Sequence, residues 1–423
     1  MATIAQEAVR GDSANPRQWP SAGVDRIPAW VYTDPEIFAR EMALFHHGRT
    51  WNYVGLECEV PTPNSWKRAT VGLKSVIVVR DREGEINVLE NRCTHRGAPL
   101  CWEQSGVAKG GFGCPYHQWR FNLQGDLIGI PFQYGLNEAG GLPDSFDKSK
   151  HGLTRLRVAR RGGAIWATFD AQTPEFSEYV GEEMLMALDR IDKGRKLKLL
   201  GTSRQVYRGN WKMWIENARD NYHATLLHTF LTAFKLVRAD LPPARNTAYR
   251  GHTVGRTYTR PIVDAEQEAK AVQEISTFRR DYGLNDTETV ETHTFDFPDG
   301  MNMGFQMFPS CMFQPHLNVP SYRQIVPKTV DTHEIHWTFF GYEDDDADML
   351  RRRLKQANLV GPAGFVTAED GEVIVKSYPV VDQTPEAAQI VEMGLRGPIG
   401  APTMLTEHAI RNFYEHYRQV MGL

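Results

Sequence analysis

This 423-residue chain is short of several things, and each absence removes a class of function. No run approaches the roughly eighteen consecutive apolar residues of a membrane-crossing helix, so no span is expected. The opening stretch MATIAQEAVRGDSANPRQWP lacks a charged segment followed by an apolar one. It does not read as a secretory signal, and a cytoplasmic location is the expectation. Basic clusters are missing as well. A net charge of −4 with 24% charged residues describes an ordinary soluble globular composition and gives nucleic acid nothing to grip. No Gly-x-Gly-x-x-Gly follows a predicted strand, so no nicotinamide or flavin module is recognisable. A redox reaction run by this chain would therefore draw its electrons from partner proteins. Cysteine is scarce too, with five in all. Cys58, Cys101 and Cys311 show no disulfide-like spacing, which fits a reducing compartment.

What is present falls into three parts. Residues 1–50 read as a loose arm followed by a helix, with Asp34 as cap, Pro35 in the first turn, and Ile37, Phe38, Met42 and Phe45 as its apolar face. Residues 51–169 read as short strands and turns, including a hairpin from Ser75–Arg80 and Glu85–Glu90. Residues 170–423 mix helices with strand candidates at Met303–Phe308, Cys311–Pro315, Tyr322–Val326 and Glu334–Tyr342. The last helix carries Ile410, Phe413, Tyr414, Tyr417, Val420 and Met421 at helical spacing, as a core-facing stripe. Asp344–Asp346 reads as a solvated acidic surface, and Asp240–Asp286 as either a lid or a loosely packed surface. The fold class expected is α+β: an all-β module, then a larger domain with an antiparallel sheet covered by helices.

The two remaining cysteines stand in a pattern. NRCTHRGAPL and GCPYHQWRF place Cys93 with His95 and Cys114 with His117. Two loops of this kind hold two thiolates against one metal and two imidazoles against another, as an asymmetrically ligated [2Fe–2S] cluster requires. A tetrahedral zinc site is the competitor. Zinc fingers usually keep the cysteine pair and the histidine pair apart, whereas each loop here supplies one of each. Gly97, Gly110, Gly111, Gly113 and Pro115 suit the tight turns such loops need.

A second constellation lies in GNWKMWIENARDNYHATLLHTF, residues 209–230. Asn210 is a helix cap, and no proline or internal glycine follows to break the helix. Asp220 and His223, three residues apart, would share a face. His223 and His228 are five apart, roughly 140° around a regular helix. They reach one ion only if the helix bulges or breaks between them. The chemistry suggested is two imidazoles of a 2-His-1-carboxylate iron site. Two satisfied core histidines are the bland alternative. A di-iron bundle would need a second Glu-x-x-His helix, which the chain lacks.

Together these motifs resemble the large (α) subunits of Rieske non-haem iron ring-hydroxylating oxygenases, from Trp51 to the C-terminal FYEHYRQVMGL. The resemblance implies a [2Fe–2S] cluster on Cys93, His95, Cys114 and His117, and one Fe(II) on His223, His228 and a distant carboxylate. In GPAGFVTAEDGE, Asp370 matches that carboxylate, with Glu369 as the neighbouring alternative. The resemblance also implies that Asp220 links the cluster of one subunit to the iron of the next, in an α3 or α3β3 assembly. Its expected partners are O2, a ferredoxin and/or flavin reductase fed by NAD(P)H, and a small β-subunit. An electron-transfer protein without oxygenase activity is the different-class alternative, and it would need no second metal motif.

The substrate expectation rests on Arg323. If Tyr322 and Gln324 face outward, Arg323 faces inward, and a buried guanidinium suits a carboxylate. Within the family the chain is similar to enzymes of aromatic carboxylates. Anthranilate 1,2-dioxygenase, which deaminates and decarboxylates to catechol, is the leading expectation. Salicylate 5-hydroxylase and terephthalate dioxygenase are the alternatives. Asn217, Ala218, Ala224 and Leu227 flank the iron motif as candidate pocket residues.

Overall fold

A computed structural model describes residues 17–20, 22–234, 245–258, 281–290, 301–396 and 403–423. Two seven-stranded sheets organise it. The first runs Asn52–Leu56, Ala164–Thr168, Arg155–Arg161, Ile86–Glu90, Lys74–Arg80, Ser65–Val71, Ser105–Val107. Its hairpin pairs Val78 with Val88, and the alternating Val76, Val78, Val88 and Ile165 close one core while Ile77, Val79 and Leu89 close the other. A small sheet of Phe112–Gly113, Arg120–Phe121 and Leu127–Gly129 sits beside it.

The second sheet is an antiparallel run in the order Leu197–Arg208, Thr332–Tyr342, Val319–Thr329, Cys311–His316, Met301–Met307, His252–Tyr258, Arg245–Tyr249. All four strand candidates of the sequence lie in it. Both faces of its central strands are buried. On one, Phe305, Phe313, Tyr322 and Phe340 meet Tyr53 and Trp166 of the first sheet, with Tyr53 and Tyr322 stacked at 4.6 Å. On the other, Met312, Ile325, Ile335 and Trp337 share a core with the helices Trp211–Asn217 and His408–Met421. That core also takes in Trp19, Val24, Ile27, Tyr32, Ile37 and Phe45, so the N-terminal segment packs on the helical side. The Asp34 cap is present, its carboxylate accepting from the backbone of Glu36 and Ile37.

Three expectations change. Tyr322 and Gln324 do not face outward: Tyr322 is in the inter-sheet core, and Gln324 donates to the Tyr53 and Thr70 carbonyls. The central strands are covered on both sides and the edge strand Leu197–Arg208 keeps exposed positions, at Thr202, Arg204, Val206 and Arg208, although Arg323 still turns to the helical side. The acidic run is only partly solvated, because Asp345 is buried against Arg353 at 2.7 Å and Asp346 caps the helix Ala347–Val360. Of the Asp240–Asp286 segment, residues 245–258 form the edge hairpin of the second sheet rather than a lid. Most of the rest lies outside the described residues.

Candidate metal centres

The two Cys/His loops are built as the same turn. The amide of Gly97 donates to the Cys93 carbonyl and that of Gln118 to the Cys114 carbonyl, each at 2.9 Å. Both closing residues have positive φ, +80° for Gly97 and +58° for Gln118. Gly111 supports the second loop, since a Cβ there would meet the Phe121 carbonyl oxygen at 2.1 Å. The cysteines are buried and His95 is exposed, with His117 between. The imidazoles lie with ring centroids 4.7 Å apart, and Trp119 stacks on His95 at 4.6 Å. Burial pushes the Cys93 thiol up, with the neighbouring Cys114 adding to it, while the amides of His95 and Arg96 favour its thiolate.

This arrangement fits two irons better than one. The thiols pair inside and the imidazoles pair at the surface. Among the described residues, only one group of three such donors gathers around a single point, and it is elsewhere. A lone tetrahedral zinc would need all four to converge. Cys58 and Cys101 are unpaired, with burial pushing each thiol up to about 12, and no disulfide is present among the described cysteines.

The single-point group is His223, His228 and Asp370, whose donor atoms all lie within 4.8 Å of one another. Each Nε2 is 3.4 Å from Asp370 Oδ1. Donors on one octahedral face with bonds of about 2.1 Å stand about 3 Å apart, so the fit to a facial triad is close. The helix ends earlier than expected, at Asn217, so Asp220 and His223 do not share a helix face. The stretch between the two histidines is a short 3-10 turn at His223–Thr225 followed by a new helix at Thr229. Asp220 explains the early end: its Oδ1 accepts from the Tyr222 amide at 2.8 Å, a local bond that competes with helix continuation. Asp370 comes from the helix Phe365–Gln383. Gly371 lets that helix lie against the sheet, since a Cβ there would meet the Tyr207 ring at 2.4 Å.

The surroundings hold the triad in place. Asn217 Nδ2 donates to Asp370 Oδ1 at 3.1 Å. Asp220 Oδ2 stands 3.3 Å from His223 Nδ1, within ion-pair reach but not aligned as a hydrogen bond. Glu369 is outside the triad and sits on His228 Nδ1 at 2.9 Å. Burial opposes charge on His223, yet Asp220 and Asp370 outweigh it and push its pKa up to about 9. Such a site favours a cation.

Arg323 is 5% exposed, and its guanidinium lies over the Trp337 ring at 4.0 Å. Its Nη2 approaches His316 Nδ1 at 3.3 Å, and its Nε has no partner. No carboxylate pairs with it among the described residues. Burial lowers its pKa to about 10, with Asp370 and Tyr207 acting the other way, so it stays charged at neutral pH. Sequence reasoning missed His316, Tyr207 and the role of Glu369. For His316 the signal was there: Met312, Gln314 and His316 alternate onto the face that Arg323 shares.

Metal-site geometry of this kind defines a Rieske-type oxygenase, and the comparisons agree. Residues 50–139 match the Rieske [2Fe-2S] domain, and 191–423 match the ring hydroxylating alpha subunit catalytic domain. The chain belongs to the ring-hydroxylating α-subunits, oxidoreductases that carry a Rieske cluster and a mononuclear iron. Members are terminal oxygenases supplied by ferredoxin or reductase partners, often with a β-subunit. The chain is 41% identical to the large oxygenase component of salicylate 5-hydroxylase from Ralstonia sp, covering 96% of each chain. It is 35% identical to the α2 subunit of terephthalate 1,2-dioxygenase from Comamonas sp, covering 96% of this chain and 97% of that one. The anthranilate 1,2-dioxygenase large subunit of Burkholderia cepacia is also 35% identical, with 97% of each covered. The salicylate alternative is thus better supported than the anthranilate expectation. Naphthalene 1,2-dioxygenase from Rhodococcus sp shares the fold, with a TM-score of 0.75 over 94% of each chain at 22% identity. No helix among the described residues is long and apolar enough to cross a membrane.

Proposed function

We propose that this chain hydroxylates a small aromatic carboxylate of the salicylate type. The observation that carries this reading is a buried, charged Arg323 with no carboxylate partner among the described residues, lying in the electrostatic field of Asp370. A guanidinium left that way is costly unless an anion completes it, and its planar fork suits a carboxylate.

In this reading His223, His228 and Asp370 hold the mononuclear iron, and Cys93, His95, Cys114 and His117 hold the cluster. When bound, the cluster supplies single electrons and the iron supplies the activation of O2. The chain's own residues do the rest. Asp370 and the imidazoles fix three positions on one side of the site. Asn217 and Glu369 keep Asp370 and His228 from rotating. Arg323 draws the substrate carboxylate to the sheet side, so that the ring lies toward the triad. Trp337 covers one face of the buried guanidinium and keeps it from bulk water, which strengthens its hold on an anion.

Electron delivery is assigned to the exposed edge of the cluster module. His95 is exposed there, and Phe132 and Tyr134 are 70% and 90% exposed nearby. Such a surface suits a protein neighbour. The reading places it against an adjacent α-subunit in an α3 or α3β3 ring, where Asp220 receives the electron path.

Reconstitution with reductase and ferredoxin components tests the substrate. Salicylate, anthranilate, terephthalate and benzoate would each be offered with O2 and NAD(P)H. The reading expects 2,5-dihydroxybenzoate from salicylate as the most efficient product. Catechol from anthranilate, or a cis-diol from terephthalate, as the preferred outcome would overturn it.

A further inference from the structure

His316 stands beside the Arg323 guanidinium at the end of the strand Cys311–His316. A guanidinium has donors only, so His316 Nδ1, 3.3 Å from Arg323 Nη2, must accept. The ring proton is then on Nε2. Burial lowers the pKa of His316 to about 3, helped by the charges of Arg323 and His228, so the ring is neutral. A neutral imidazole held this way presents one fixed donor.

Its location is also constrained. His316 ends the strand Cys311–His316, on the same face as Met312 and Gln314. Across the ladder that face continues with Ser321 and Arg323, where Met312 pairs with Arg323 and Gln314 with Ser321. Three buried polar atoms on this face have no partner among the described residues: Gln314 Oε1, Ser321 Oγ and Arg323 Nε. Buried polar atoms are normally satisfied, and several orphans together on one sheet face mark a place built for a polar ligand. His316 also feels the charges of His228 and Asp370, so the patch borders the iron triad.

We propose that His316 is a specificity-determining residue, whose Nε2–H donates to an oxygen ortho to the carboxylate that Arg323 holds. An ortho hydroxyl offers an acceptor lone pair. An ortho amino group does not, because its lone pair is delocalised into the ring and its hydrogens would face another donor. The patch therefore selects 2-hydroxybenzoates over 2-aminobenzoates. This inference rests on the carboxylate reading of Arg323.

The test is calorimetric binding of 2-hydroxybenzoate, 2-aminobenzoate and benzoate to the iron-loaded holoenzyme, in wild type, His316→Leu and His316→Gln. One neutral hydrogen bond corresponds to roughly 3- to 10-fold in affinity. The 2-hydroxybenzoate to benzoate affinity ratio should fall by about that factor in His316→Leu. His316→Gln should restore much of the ratio, since its amide can accept from Arg323 and still donate. The ratio of 2-aminobenzoate to benzoate should rise in His316→Leu, because the donor facing the amino hydrogens is gone. An unchanged hydroxybenzoate ratio in His316→Leu, or an equal fall for both ortho substituents, would overturn the proposal. Arg323→Met separates the two readings. If it spares benzoate binding, the carboxylate assignment fails, whatever the His316 ratios show.

Discussion

Glu369 Oε2 lies 2.9 Å from His228 Nδ1, so the ring that turns its Nε2 toward Asp370 is held from behind by Asp370's own neighbour. Two adjacent carboxylates on one helix therefore divide the work: one joins the donor triad and the other orients a donor. Carboxylate partners of ligating histidines commonly contribute 10- to 100-fold in metal affinity. Glu369→Ala should weaken mononuclear iron binding by about that factor in chelator competition. Glu369→Gln should lose less, because its amide oxygen still accepts. Unchanged affinity in Glu369→Ala would remove the positioning role.

Asp220 stands against the other histidine, with its side chain 20% exposed. Asp220→Asn keeps the shape and removes the charge. It should leave both metals bound and slow oxidation of the reduced cluster when substrate and O2 are added. Wild-type oxidation rates in single-turnover stopped flow would contradict the bridging role.

Arg323→Met removes the cation from the sheet face. A charge-assisted hydrogen bond contributes roughly 1.5–3 kcal/mol, so kcat/KM for the aromatic acid should fall about 10- to 100-fold. Neutral analogues should be far less affected. Peroxide should be released in place of product, because a misplaced ring cannot intercept the oxidant. Equal losses on acids and neutral rings, with lowered iron, would make Arg323 structural.

Lys212, on the helix that carries Asn217, forms a fully buried ion pair with Glu41 at 2.7 Å. Glu41 also accepts from Trp211 and Tyr417. Lys212→Met leaves that carboxylate without its charge partner, which should cost about 3–5 kcal/mol. Thermal unfolding should show a clear drop in midpoint. An unshifted midpoint would mean that the two tyrosine and tryptophan donors suffice.

Much of this was legible in the sequence, for uneven reasons. The Cys/His loops were readable because cluster chemistry dictates both residue identity and close spacing. The helix cap at Asn210 and the core stripe of the last helix were readable because capping and 3.6-residue periodicity are local. The His223–His228 spacing demanded only a break between those two residues. The end of the helix at Asn217, ahead of both, was not readable, since the Asp220 bond to Tyr222 is a matter of conformation. The two-sided burial of the second sheet was not readable. Alternation suggested an outer face, but Tyr322 stacks on Tyr53, and a contact spanning so much sequence leaves no local trace. The family pattern matched Asp370 to the carboxylate and left Glu369 as the neighbouring alternative, because one helical step separates a ligating position from an orienting one.

The most direct test is metal content. In Asp370→Ala the account predicts that iron falls from about three to about two per chain, while the red-brown spectrum of the cluster persists. Activity should vanish with the third iron. Retention of all the iron in Asp370→Ala, with its loss in Glu369→Ala instead, would contradict the assignment of the triad.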